Sequence, residues 1–169
     1  MKMYLNLKNE NSTDYLIVNI FILIVFAINL NAQERCNTKQ IIGSSAFITL
    51  PQIGIVNIKS KVDTGARTSS LHCSEILIDT TKKWVTFVPL NRIKSIKMPI
   101  SKITAVKSSN ASVEKRAFVK LNVIINNCLY TAEFSLTNRT GMRYPVLLGR
   151  SLLKNNFIVD VSFLNVGQI

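Results

Sequence analysis

Lys61-Val62-Asp63-Thr64-Gly65-Ala66-Arg67-Thr68-Ser69-Ser70-Leu71-His72 is the stretch on which the reading of this chain turns. Ahead of it, Ile53, Ile55, Asn57/Ile58, Ser60 and Val62 describe an alternating strand that delivers Asp63 at its end. A sheet holds a carboxylate in that position rigidly. Gly65 lets the backbone turn tightly and approach a partner carboxylate. Thr64 offers a hydroxyl and an N–H to lock the loop, and Ala66 packs behind it. Thr68, Ser69 and Ser70 can fix the loop by local side-chain bonds. The bare Asp-Thr-Gly triplet is a weak signal, because any β-turn can carry Asp and Gly. The bland reading of Asp63 is a turn aspartate.

A second motif lies far downstream: Tyr144-Pro145-Val146-Leu147-Leu148-Gly149-Arg150-Ser151-Leu152-Leu153, followed by Phe157-Ile158-Val159-Asp160-Val161-Ser162. The pair resembles the retropepsin-like aspartic proteases, and within them the bacterial branch known as "ATP-dependent zinc protease", related to the RimB proteins. The resemblance runs from Ile42 to Ser162, with Val106 to Arg116 in place of the family's middle element. It implies an all-β fold: a closed retropepsin-like β-barrel with one short C-terminal helix. It implies that Leu148, Gly149 and Arg150 support the Asp63 loop from below. It implies aspartic endopeptidase activity on a peptide or protein substrate. The chain departs from the family pattern at Ala46, where a Glu is common, and at Cys73, where an Ala is common.

The chemistry of such a site needs two carboxylates sharing one proton: the charged one activates water and the protonated one polarises the scissile carbonyl. One Asp-Thr-Gly is present, and Asp79 and Asp160 lack its context. One lobe must therefore pair with a copy of itself, so that Asp63 meets Asp63 across a two-fold axis in a homodimer. Arg67 is either a carboxylate partner or a surface Arg, and Arg150 is a candidate partner for Asp160.

The family's name promises zinc and ATP, yet the residues support neither, and no metal or cofactor is expected. His72 is the one histidine. His72-Cys73-Ser74-Glu75 has ligand types, but neighbours on a strand point to opposite faces. A zinc site needs three or four convergent ligands, and ATP needs a phosphate cradle of the Gly-x-x-x-x-Gly-Lys-Ser/Thr kind. Two rivals to the protease reading stay open: a non-catalytic peptide- or partner-binding module of the cell envelope on the same barrel, and a zinc-dependent peptidase.

Along the mature chain the pattern is nearly all β. Trp84 to Val88 alternates, and Arg116 to Ile125 places Ala117, Val119, Leu121 and Val123 on one face. Asn126-Asn127 reads as a hairpin turn, since Asn tolerates left-handed backbone angles. Cys128, Tyr130, Ala132, Phe134 and Leu136 return on the next strand. Gly149 to Lys154 reads as the one helix, ended by Asn155-Asn156. No glycine lies between Gly65 and Gly141. If Ile93 to Ser112 covers the substrate, it does so without the glycine-rich flap of retroviral enzymes.

At 169 residues the chain holds one domain, expected over residues 41–165 behind a linker at 33–40. Tyr15 to Leu30 is an apolar run broken by Asn19 and Asn29. It is short for a membrane span and suits a secretory h-region, with Leu30-Asn31-Ala32 as the cleavage site. Residues 1–32 are thus expected to be a signal peptide, or alternatively an uncleaved membrane anchor, and the protein to be exported to the periplasm or cell envelope.

The formal net charge of +12 survives removal of that segment, which carries two basic and two acidic residues. Between Lys82 and Lys120 lie ten Lys or Arg and the single acid Glu114. This segment is either a solvated basic face or a surface for an anionic partner. No helix-turn-helix, zinc-finger or RNA-reading motif accompanies it, so no specific nucleic-acid partner is expected. Of Cys36, Cys73 and Cys128, one pair can form a disulfide in an exported chain. The sequence does not choose the pair. Cys73–Cys128 is conceivable, and so are reduced, buried thiols.

Overall fold

Strand β3 (Ile55–Val62) ends at Asp63, and the strands around it close into a ring. The computed structural model describes Cys36 and residues 38–90, 94–107 and 113–163. The expected signal or anchor segment lies outside the described residues. In chain order the other strands are β1 (Gln40–Ile42), β2 (Ser45–Leu50), β4 (Ser69–Asp79), β5 (Trp84–Pro89), β6 (Ile96–Pro99) and β7 (Lys102–Lys107). They continue with β8 (Val113–Ile125), β9 (Cys128–Thr137), β10 (Val146–Leu148) and β11 (Phe157–Val159), with helix α1 (Arg150–Asn156) between the last two.

The ring runs β10-β3-β2-β8-β9-β4 and returns to β10. β10 is the closing strand. It pairs in parallel with β3, Val146 opposite Ser60 and Leu148 opposite Val62, and antiparallel with β4, Val146 opposite Leu71. Three residues thus join both edges of the sheet and remove them, as barrel closure does. The described residues form the all-β barrel expected from the resemblance, with one short α-helix among them, near the C-terminus.

The longest ladder is β8–β9, and the sequence pattern accounts for it. Ala117, Val119, Leu121, Val123 and Ile125 are buried from one strand, and Tyr130, Ala132, Phe134 and Leu136 from the other. Asn126 and Asn127 have φ of 48° and 62°, the left-handed pair that a two-residue hairpin needs. Outside the ring, β5 and β6 extend β4 into a three-stranded ribbon, and β7 pairs with β8. The segment Ile93 to Ser112 is thus built largely as β6 and β7. Ile93 and residues 108–112 lie outside the described residues.

β1 and β11 form a separate parallel pair, Gln40 opposite Phe157. The disulfide is Cys36–Cys128, with a sequence separation of 92, and Cys73 is free and buried. Cys73–Cys128 is excluded because Cys128 opens β9 beside β1, whereas Cys73 sits in the core on β4. Burial pushes the Cys73 thiol far above its ordinary range, so it stays protonated. Gln40 donates through Nε2 to both disulfide sulfurs. Gln40 opens β1 and Cys36 is bonded to Cys128, so the end of the 33–40 linker is tied to the barrel.

A crosslink closing so long a loop restricts the unfolded chain by roughly 4–5 kcal/mol in the chain-entropy account. Cys36→Ser/Cys128→Ser should therefore lower the urea midpoint by an amount equivalent to about 2–5 kcal/mol. Reductant should lower the wild-type midpoint similarly and leave the double variant unchanged.

Candidate active site

Asp63 leaves β3 at the seam where β10 closes the ring, and its N–H donates to Leu148 O at 2.9 Å. Its side chain turns back on its own loop. Oδ1 accepts from Gly65 N at 3.0 Å and Ala66 N at 3.1 Å. Oδ2 makes an ion pair with Lys61 Nζ at 3.4 Å, and the side chain keeps 24% of its exposure. One carboxylate oxygen is therefore fixed by the backbone, while the other is paired with the half-exposed Lys61 ammonium.

Gly65 earns its place by proximity. A Cβ there would sit 3.2 Å from Asp63 Oδ1, and its φ is not in the left-handed region. Thr64 O and Gly65 O both accept from Arg150 Nη1, at 3.0 and 2.8 Å. Arg150 is thus a brace for the loop, and the expected Arg150–Asp160 pair is absent. Asp160 instead accepts from Ser162 N at 2.9 Å and Ser162 Oγ at 2.7 Å, which hold its carboxyl below the ordinary range.

The start of α1 docks beneath the loop. Arg150 N donates to Ala66 O and Ser151 N to Arg67 O, at 2.9 and 3.0 Å. Gly149 N donates to the buried Ser69 Oγ at 3.1 Å, and Ser135 Oγ donates to Ser69 O. These bonds satisfy helix N–H groups that have no partner within the helix. A Cβ on Gly149 would meet Thr68 C at 2.4 Å and Thr68 O at 2.5 Å, so only glycine fits against this backbone. The structure thus brings together Asp63, Thr64, Gly65, Ala66, Thr68, Ser69, Leu148, Gly149 and Arg150.

His72 is buried, and its Nδ1 accepts from Arg139 N at 2.8 Å. Among the described residues no cluster of three His, Cys, Asp or Glu side chains is placed to hold a metal ion. Arg139 escaped the sequence reading. It lies in the loop after β9, where no periodic pattern marks it. Its Nε donates to Tyr144 O at 3.2 Å and its Nη1 to Ser70 Oγ at 3.1 Å. Burial first, and then Arg116, pull the Arg139 guanidinium below its ordinary range, while the Asp63 charge acts the other way. Arg116 reaches this neighbourhood from β8, half-turned toward Glu114, which it bonds at 2.8 Å. The Asp63 carboxylate thus has Lys61 and Arg139 near it, while Arg116 is paired with Glu114.

Beside the loop is a groove of about 500 Å³ lined by Thr64, Arg150, Leu153, Lys154, Phe157 and Val159. Ile41 and Ile158, on β1 and β11, are exposed.

Comparison with known proteins agrees with this geometry. The chain is 36% identical over 134 residues to a protein of Shewanella halifaxensis named "Probable alpha-L-glutamate ligase", and 30% identical over 130 residues to one of the same name in Desulfotalea psychrophila. These alignments cover 75% and 72% of this chain but only 29% and 28% of the relatives, so the chain spans less than a third of their length. Among solved structures, protein Lpg0085 of Legionella pneumophila, of unknown function, matches with a TM-score of 0.61 at 28% identity, over 75% of this chain and 96% of that one. Residues 41–167 match the family described as "Retropepsin-like aspartic endopeptidase RimB". With its Asp-Thr-Gly loop seated on a Leu-Leu-Gly strand and a helix start, the chain belongs to the RimB-like, retropepsin-like family.

Proposed function

We propose that this protein is an aspartic endopeptidase that works as a homodimer and cleaves acidic, glutamate-bearing peptides. The observation that carries the reading is the Asp63 carboxylate itself. Oδ1 is fixed by two N–H groups and Oδ2 meets the half-exposed Lys61 ammonium, a contact that a second carboxylate or a water can share. The other mature aspartates are engaged elsewhere, Asp79 with Lys82 N and Asp160 with Ser162. A two-fold axis beside the loop supplies the missing carboxylate as the partner's Asp63. The apolar groove beside Thr64 supports burial of this face against a second copy.

In the assembled site one carboxylate takes a proton from water and the other donates a hydrogen bond to the scissile carbonyl. Backbone bonds from Gly65 and Ala66 hold the first oxygen still, so the dyad needs little rearrangement during reaction. Lys61 and Arg139 place positive charge beside it, which favours substrates carrying carboxylates. The name of the longer relatives points the same way: a ligase and a peptidase in one polypeptide would share a glutamate-rich chain as product and substrate. The Cys36–Cys128 disulfide supports an oxidising compartment, in keeping with export.

The test uses purified full chain against glutamate-rich and neutral peptides at several protein concentrations. kcat/KM for the acidic peptide should exceed that for the neutral one by at least tenfold and fall steeply with salt. Specific activity should collapse on dilution through the dimer dissociation constant. Full activity of a monomer shown by light scattering would overturn the dyad, and equal cleavage of both peptides would overturn the acidic preference.

A further inference from the structure

The ribbon that β5 and β6 add to β4 stands outside the barrel ring, and its outer face is not that of an ordinary solvated sheet. The register aligns Leu77, Thr86 and Lys97 in one row and Asp79, Trp84 and Pro99 in the next. These rows share one face, because side chains two apart on a strand point the same way. The opposite face carries Ile78, Val85 and Met98, with Val85 fully buried against the core. The outward face leaves Leu77 at 69% exposure and Trp84 at 38%. The Lys97 ammonium lies 5.4 Å from the centre of the indole ring.

Cations lie at both ends of the ribbon, Lys82 and Lys83 beside Trp84 and Lys94 at the far end, since β6 starts opposite Phe87. Lys82 and Lys83 form the β4–β5 turn, with Lys83 in the left-handed region, and Lys94 is exposed just before β6. The facing acids are Glu75 and Asp79. The Asp79 carboxylate is already occupied by the Lys82 backbone N–H at 2.9 Å, so it holds the turn rather than the lysine charges.

An exposed indole and leucine flanked by four lysines combine two properties of a bilayer interface. Tryptophan settles at the headgroup level because one part of it is apolar and its N–H is polar. Lysines near an anionic surface each add about 1 kcal/mol of attraction, roughly fivefold in affinity. A phosphodiester chain would use the lysines but would have no use for Leu77, and it would favour several stacked rings rather than one. An acidic protein would leave the apolar pair uncovered unless it brought a matching patch.

We propose that this ribbon docks on the surface of an anionic lipid bilayer, with Trp84 and Leu77 entering the headgroup layer and Lys82, Lys83, Lys94 and Lys97 meeting lipid phosphates. The docking is independent of peptide cleavage and does not involve the Asp63 loop.

Trp84 is the only tryptophan in the chain, so it reports its own depth. The full chain is added to vesicles containing brominated lipids, either phosphatidylglycerol-rich or purely phosphatidylcholine, and Trp84 emission is followed. Emission should shift to the blue and be quenched in the anionic vesicles, and both effects should reverse in high salt. Lys82→Gln/Lys83→Gln/Lys94→Gln should lower the docked-to-undocked ratio by roughly a hundredfold. That variant keeps Lys97 over the ring and alters only exposed side chains, so its unfolding midpoint should match wild type. Because quenching reads the ribbon itself, binding of the vesicle through any other part of the chain does not mimic it. Quenching that is absent, or equal in neutral and anionic vesicles, would overturn the proposal. So would a larger emission change with single-stranded RNA or polyglutamate than with vesicles, which would reassign the ribbon to that polyanion.

Discussion

Asp63→Asn should abolish peptide cleavage by three or more orders of magnitude while leaving the barrel folded. Asparagine keeps the shape and can still accept from Gly65 N and Ala66 N through its amide oxygen, so the loop keeps the bonds seen for Oδ1. It cannot take a proton from water or share one with a twin. KM for an acidic peptide should change little, because the substitution leaves the proposed contact with Arg139 in place. The unfolding midpoint should move by less than the equivalent of about 1 kcal/mol, since the Lys61 pair it removes is largely exposed. Wild-type cleavage should follow a bell-shaped pH profile, as expected when two carboxylates must share one proton. Retention of cleavage by Asp63→Asn would leave the chain as a binding module on a protease barrel.

Gly149→Ala should be strongly destabilising, because the added methyl group has backbone on both sides. Its new carbon would lie 2.4 Å from a Thr68 backbone atom, and 2.9 Å from Ser69 N. Backbone on both sides is pinned: Gly149 N to Ser69 Oγ, Arg150 N to Ala66 O, Ser151 N to Arg67 O. Relief requires the helix start to withdraw from the loop, which breaks those bonds together. The expected loss is about 3 kcal/mol or more in stability, at the upper end for overpacking, accompanied by loss of cleavage. Gly141→Ala is the control. Its Cβ would meet nothing within 4 Å, so only the strain of its φ of +80° remains, and it should cost about 1 kcal/mol.

Much of this architecture was legible in the chain because its long elements repeat a period. Thirteen residues of β8 and ten of β9 alternate across an Asn-Asn turn, and no helix could bury that pattern. The Asp63 loop was legible because each residue has a local reason, and Oδ1 with its two N–H donors lies within three residues. Elements of three residues carry no period. The dual pairing of β10 and the parallel β1–β11 pair therefore could not be read from alternation. The partner of Cys36 was hidden for the same reason: β1 brings it to Cys128, and nothing in the spacing of three cysteines announces β1. Arg150 misled because a nearby Asp was the obvious guess, whereas two backbone carbonyls bind it across the fold. Arg139 sits in a loop whose course is set by tertiary bonds to His72 and Tyr144 rather than by its own sequence.

The three-residue strand that closes the ring also sets an order of events. Its partners Ser60 and Leu71 precede Val146 by most of the domain, so the contacts that seat Asp63 are among the most distant in the sequence. Long-range pairings of this kind form late, since loop-closure entropy must be overcome before they contribute stability. During synthesis from the N-terminus, β2, β3, β4, β8 and β9 can assemble while Leu148 and Gly149 are still missing. An open sheet of that kind holds the Asp63 loop without the strand and helix start that brace it. On the proposed peptidase reading, the nascent chain would stay inert until this last strand arrives.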